Sequence, residues 1–221
     1  MSGESTIPEY QRADQMLRNG QLRDAQVVYR ELCEQYSSDP QCWHMLGAIS
    51  GMLGEMSEAE QCARRSISLA PDFAPGYFNL GTALLNQGKF NEAETCFRET
   101  LRREPGDARA YNNLGNALRA KHQVVEAERC FREALRLQPA NPDVLVNLGA
   151  VLHERGIADD AIQCFGDALQ LNPDHVDALC NLGNAISQGS ESEYGIAYLE
   201  HAARLAPTAG HVWAQLGAVL V

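Results

Sequence analysis

Apolar residues recur along this chain in two stripes per 34 residues, at the fourth, seventh, eighth and eleventh and then the twentieth, twenty-fourth, twenty-seventh and twenty-eighth places of each unit. Steps of three and four put a stripe on one face of an α-helix, so each unit predicts a helical hairpin. Three ladders fix the register. Cys62, Cys96, Cys130 and Cys164 are 34 residues apart, as are Pro71, Pro105, Pro139, Pro173 and Pro207, and the Leu-Gly pairs from Leu46-Gly47 to Leu216-Gly217. The pattern predicts an all-α chain of six tandem helix-turn-helix repeats over 6–209, starting at 6, 40, 74, 108, 142 and 176. A tail, 1–5, precedes them, and 210–221 is the first helix of an incomplete seventh repeat.

The polar and small residues agree with that division. Gly20, Gly54, Gly88 and Gly156 fall where the first helix of a hairpin ends, a place that favours the left-handed conformation. His122 and Ser190 replace glycine there in the fourth and sixth units. Each ladder proline ends a second helix, and Asp72, Asp107, Asn141 and Asp174 stand where they cap the next one. Small residues occupy the eighth and twentieth places, where helices approach closely. Trp43, Tyr77, Tyr111 and Trp213, with Tyr29, Phe97, Phe131 and Phe165, fill the space across each hairpin.

An aromatic, Leu-Gly, Ala, Phe and Pro at these places of a 34-residue helix-turn-helix unit resemble the tetratricopeptide repeat over positions 6–221. The departures gather near the ends: Glu9 and Arg12 in the first unit, Ala63 in the second, Gly195 in the sixth. The resemblance implies a right-handed α-solenoid whose first helices line a concave groove.

In that groove the first three repeats present Tyr10, Asp14, Leu17, His44, Met45, Met52, Phe78, Asn79, Thr82, Leu85 and Asn86, a largely apolar lining. The next three present Arg109, Asn112, Asn113, Asn116, Arg119, Asn147, His153, Glu154, Asp177, Asn181, Asn184 and Gln188, rich in amides. Asn79, Asn113, Asn147 and Asn181 share the sixth place of successive repeats, and an amide both donates and accepts. Such a row suits the main chain of an extended peptide, with Tyr10, Met45, Met52 and Phe78 as apolar anchors. It is similar to the Asn ladder in the repeat region of O-linked N-acetylglucosamine transferases. The Lys and Asn pattern by which one co-chaperone subclass grips C-terminal carboxylates is not reproduced in any three successive units. Arg109 and Arg119, flanking Asn112, Asn113 and Asn116, still offer guanidinium forks to a carboxylate.

Composition narrows the partner. With 18 Lys plus Arg against 29 Asp plus Glu the formal charge is −11, which argues against nucleic acid and anionic membranes. No leader or long apolar stretch is present, so a cytoplasmic address is expected. The seven cysteines contain no CxxC and are read as reduced. The ladder thiols are expected to be structural, with Cys180 apart at a groove place. No metal motif, phosphate loop or nucleophile elbow occurs, so no cofactor, metal site or catalytic residue is assigned.

The expected function is therefore a non-catalytic scaffold binding a protein or peptide segment in the groove. Two alternatives stand beside it: the substrate-presenting repeat region of a larger O-linked glycosyltransferase-like enzyme, and self-assembly through the C-terminal end. The segment GHVWAQLGAVLV motivates both. Trp213, Leu216 and Leu220 are expected to cover the last full repeat, while Val212, Ala214, Ala218 and Val221 leave the other side with little charge.

Overall fold

The computed structural model describes residues 6–187 and 192–220, and its described residues form thirteen α-helices without a strand. They are α1 (Thr6–Arg18), α2 (Leu22–Gln35), α3 (Pro40–Met52), α4 (Met56–Leu69), α5 (Ala74–Asn86), α6 (Phe90–Arg103), α7 (Ala108–Ala120), α8 (Val124–Leu137), α9 (Pro142–Glu154), α10 (Ala158–Leu171), α11 (Val176–Ser187), α12 (Ser192–Leu205) and α13 (Gly210–Val219). Gln188, Ser190 and Val221 lie outside the described residues. The fold is all-α, an array of helices in tandem, and it divides into two compact units, 1–117 and 118–221.

Successive helices pack on one another from α1 to α6 in the first unit and from α8 to α13 in the second, and some next-but-one helices also meet: α3 with α5 in the first unit, and α11 with both α9 and α13 in the second. Stacked hairpins bury what no hairpin could bury alone. Tyr29, Phe97, Leu32, Ile49 and Leu84 are buried in the first unit, and Phe165, Leu152, Leu179 and Leu199 in the second.

The turn inside a hairpin follows one chemistry. Gly20, Gly54, Gly88 and Gly156 have φ between 74° and 81°, and the next residue's N–H returns to a carbonyl five residues back, as Lys89 does to Leu84 at 2.9 Å. This pair of features is the Schellman closure of a helix. His122 adopts the same conformation with φ 60°, and Gln123 N–H bonds Leu118 O at 2.9 Å.

Capping is less regular than the polar residues predict. Asp107 Oδ1 accepts from the N–H groups of Arg109 and Ala110, and Asn141 Oδ1 from Val144 N–H at 3.2 Å. Asp72 does not cap: its side chain is fully exposed, 3.9 Å from Arg103, and α5 begins without a side-chain cap. At α11 the cap is His175 rather than Asp174, with Nδ1 accepting from Ala178 N–H at 3.3 Å. Because Nδ1 is an acceptor, the proton sits on Nε2, which donates to Asp143 at 3.0 Å.

Close helix contacts explain the small residues. A Cβ on Gly149 would stand 2.5 Å from the Phe165 ring, and one on Gly195 would stand 2.6 Å from the Gly183 carbonyl oxygen and 2.1 Å from Ser187 Oγ. The departure at Gly195 is thus a requirement of an unusually close hairpin, α11 against α12.

Charged clasps join neighbouring hairpins. Glu60 of α4 receives Lys89 Nζ at 2.8 Å and Gln87 Nε2 at 3.0 Å from the turn of the following hairpin, and Arg64 Nη2 at 2.8 Å from its own helix. These donors, Lys89 foremost, hold its carboxyl down to about 2. In the second unit Glu128 of α8 pairs in the same manner with Arg155, from the turn after α9, and with Arg132 at 2.9 Å.

Candidate functional site

Both units leave open hollows beside their first helices. In the first unit a hollow of about 440 Å³ is walled by α3, α4 and α5, with Arg109 at its rim. It brings together Met52, Phe78, Asn79, Thr82, Asn86 and Arg109 of the predicted lining. Met52 is 60% exposed. A second hollow of about 310 Å³ adjoins it, sharing Ala48, Phe78, Asn79 and Arg109 and adding His44 and Glu104.

In the second unit a hollow of about 580 Å³ brings together Arg119, His153, Glu154, Asn181 and Asn184, with Phe165 at its floor and Ala218 and Val219 of α13 on one side. Arg119 Nη2 is paired with Glu154 Oε1 at 2.7 Å, so its guanidinium is not free for a ligand without exchanging partners.

The asparagine row behaves differently from a ladder of open amides. Asn79 directs its NH₂ group to the Nδ1 and the carbonyl oxygen of His44 on α3, at 3.0 and 3.3 Å, which leaves its own oxygen as the group able to accept. Burial lowers the pKa of His44, consistent with a neutral ring accepting at Nδ1. Asn113 Nδ2 reaches Thr82 Oγ1 at 3.4 Å and its oxygen accepts from Asn112 at 3.3 Å. These amides brace first helices against one another, and of the two only Asn79 also lines a hollow. Asn112, Asn113, Asn116 and Asn147 line none of the three hollows.

Several expected anchors are packed into the fold instead. Tyr10 donates its hydroxyl to Asp39 Oδ2 at 2.7 Å, bonds Cys42 Sγ, and sets its ring edge-on to Tyr29 at 6.2 Å. Asp14 is taken by the Tyr29 hydroxyl at 2.7 Å. Met45 and Leu17 lean on the core cluster around Leu32 and Ile49. Cys180, expected at the groove, is buried with Leu179 and Leu199, where desolvation pushes its thiol up to about 11. Burial likewise pushes Cys62 to about 12 and Cys96 to about 11, as inert core thiols require. On α13, Val212 and Leu216 are buried, but Trp213 and Leu220 are 50% and 61% exposed and do not cover the repeat before them.

Sequence reasoning missed Met56 and Ala59 in the first hollow and Ser187, Ala218 and Val219 in the last. Met56 opens a second helix, and only first-helix places were read as lining. The available signal was the turn length: a short turn brings the start of α4 back beside the end of α3.

Comparison with known families places models described as the tetratricopeptide repeat on residues 9–49, 40–73, 78–142 and 114–163. No curated protein sequence matches. Among solved structures, PilF of Pseudomonas aeruginosa shares 21% identity with a TM-score of 0.79, covering 94% of each chain. The APC/C hetero-tetramer Cut9–Hcn1 shares 19% identity with a TM-score of 0.82, covering 94% of this chain and 41% of that one. YrrB, a tetratricopeptide-repeat protein with an unusual peptide-binding site, shares 19% identity with a TM-score of 0.64, covering 84% of this chain and 95% of its own. Likeness at these identities concerns the fold.

Proposed function

Because the chain belongs to the tetratricopeptide-repeat family, whose members generally serve as protein-interaction scaffolds, we propose that it binds a segment of a partner protein along the first helices of its repeats. The observation that carries this reading is that the open hollows of both units lie beside first helices and are walled by side chains from three or more of them or their turns. Such concave, partly apolar spaces with a few convergent polar groups are where ligands gain most contact. The first unit offers sulfur and aromatic surface, and the second offers amides and an ion pair. The peptide-binding site of YrrB and the hetero-tetramer of Cut9 with Hcn1 lend the fold's precedent to a protein ligand.

Site-specific photo-cross-linking tests the reading. A benzophenone side chain placed at Met52 or at Asn184 is expected to trap the same partner set, while one at Arg98 or Gln163, exposed on second helices, traps none of it. Partners trapped only from second helices would move the binding surface to the opposite face and overturn the proposal.

A further inference from the structure

The larger hollow of the first unit has an unusual balance of chemistry. Its walls are alanine, glycine, Met52, Met56 and Phe78, its polar groups are amides and a hydroxyl, and Arg109 is the one ionisable group among the described residues that line it. The two acids nearby, Asp107 and Glu104, line the adjoining hollow with Arg109 and not this one.

Arg109 is held for use. Its guanidinium lies 4.9 Å from the centroid of Phe78, and its Nε and Nη2 reach Asp107 at 3.4 and 3.2 Å. Asp107 Oδ1 also accepts from two N–H groups at the start of α7, and the pairing leaves Arg109 Nη1 as the donor open to a further acceptor. Seventy per cent of the Arg109 side chain stays exposed, at the boundary the two hollows share. The Phe78 face that would attract a cationic ligand is already occupied by Arg109. A carboxylate suits the planar fork, and thioether and aromatic walls adapt to a large apolar side chain. The remaining oxygen of Asn79 is placed to accept from a main-chain N–H.

We propose that this hollow is the docking site for a bulky apolar residue of a partner polypeptide that bears an Asp or Glu a few residues away, with the carboxylate on Arg109. The inference rests on the first-helix binding reading and narrows it to a residue pair.

The test selects a random linear dodecapeptide display library on the full chain and re-synthesises the enriched peptides with Glu, Gln or Lys at the acidic place. Fluorescence anisotropy then compares wild type with Arg109→Glu, Arg109→Gln and Met52→Asp, each first matched in helicity by circular dichroism. The expected result is enrichment of Leu, Met or Phe beside an acid, with Glu→Gln weakening binding about tenfold, as loss of a charge-assisted pair implies. Arg109→Gln should abolish the preference for Glu over Gln, Arg109→Glu should reverse it in favour of Lys, and Met52→Asp should weaken all three peptides. Enriched peptides that lack acids, or whose charge preference survives Arg109→Glu, overturn the inference and leave peptide binding intact. If no peptide is enriched, both this inference and the reading beneath it fall.

Discussion

Single residues show how the repeat tolerates exceptions. His122 holds φ 60° at an exposed turn where four other repeats use glycine. A Cβ residue in that conformation is disfavoured by ~1 kcal/mol relative to glycine. His122→Gly should therefore raise the unfolding free energy by about 1 kcal/mol in urea, and no change would mean that the histidine makes a compensating contact. Glu60 gives the opposite lesson, since its carboxyl is held to about 2 by Lys89, Arg64 and Gln87. A folded pKa below the unfolded value adds stability that is present above about 4.5 and is lost as pH falls toward 2. With Arg64 half exposed, screening reduces the contribution to on the order of 1 kcal/mol at neutral pH. Glu60→Gln should lower stability by that amount at pH 7, and the difference from wild type should vanish in acid. A gap that persisted at pH 2 would assign the effect to packing.

Helices and hairpins make the eighth place of the repeat a sharp experimental contrast. A methyl group at Gly149 meets the buried Phe165 ring at 2.5 Å, whereas one at Gly217 meets nothing within 4 Å. Overpacking costs ~1–3 kcal/mol, and replacing a helical glycine by alanine returns up to ~1 kcal/mol. Gly149→Ala should thus destabilise the chain measurably while Gly217→Ala is neutral or slightly stabilising, as read from thermal melts. Equal effects at both sites would contradict the packing described for α9 and α10. The same elements show what was legible in the sequence. Hairpins and their turns follow from periodic ladders, because a period fixes which side of each helix must be covered. The fifth place of the repeat was not so readable. Tyr10, His44, Phe78 and Cys180 all occupy it, and they variously bond the next repeat, lean on Phe73, stack with Phe97 or vanish into the core. That place lies on the margin between groove and stack, so the neighbouring helix decides its fate, and helical spacing alone carries no information about the neighbour. Capping, by contrast, follows the register: Asp107 and Asn141, at the thirty-fourth place, accept from free N–H groups, while Asp72 and Asp174, one place earlier, do not cap.

Across the whole molecule, two units of one repeat type carry different chemistry beside their first helices, apolar with a single cation in one and amide-rich with an ion pair in the other. Among the described residues no helix is long and apolar enough to cross a membrane. The charged clasps bear on how such a chain can change over generations. The hairpin of α5 and α6 presents Lys89 to the acid before it, and Glu128 of the later hairpin presents its carboxylate to Arg155 after it. A segment that carries a cation toward one side and an anion toward the other resembles a link with a hook and an eye. A 34-residue length gained or lost by unequal crossing-over keeps such a joint only where both neighbours carry their half of it, and the fifth repeat, with Ile162 at the place of Glu60 and Glu128, has no eye to offer.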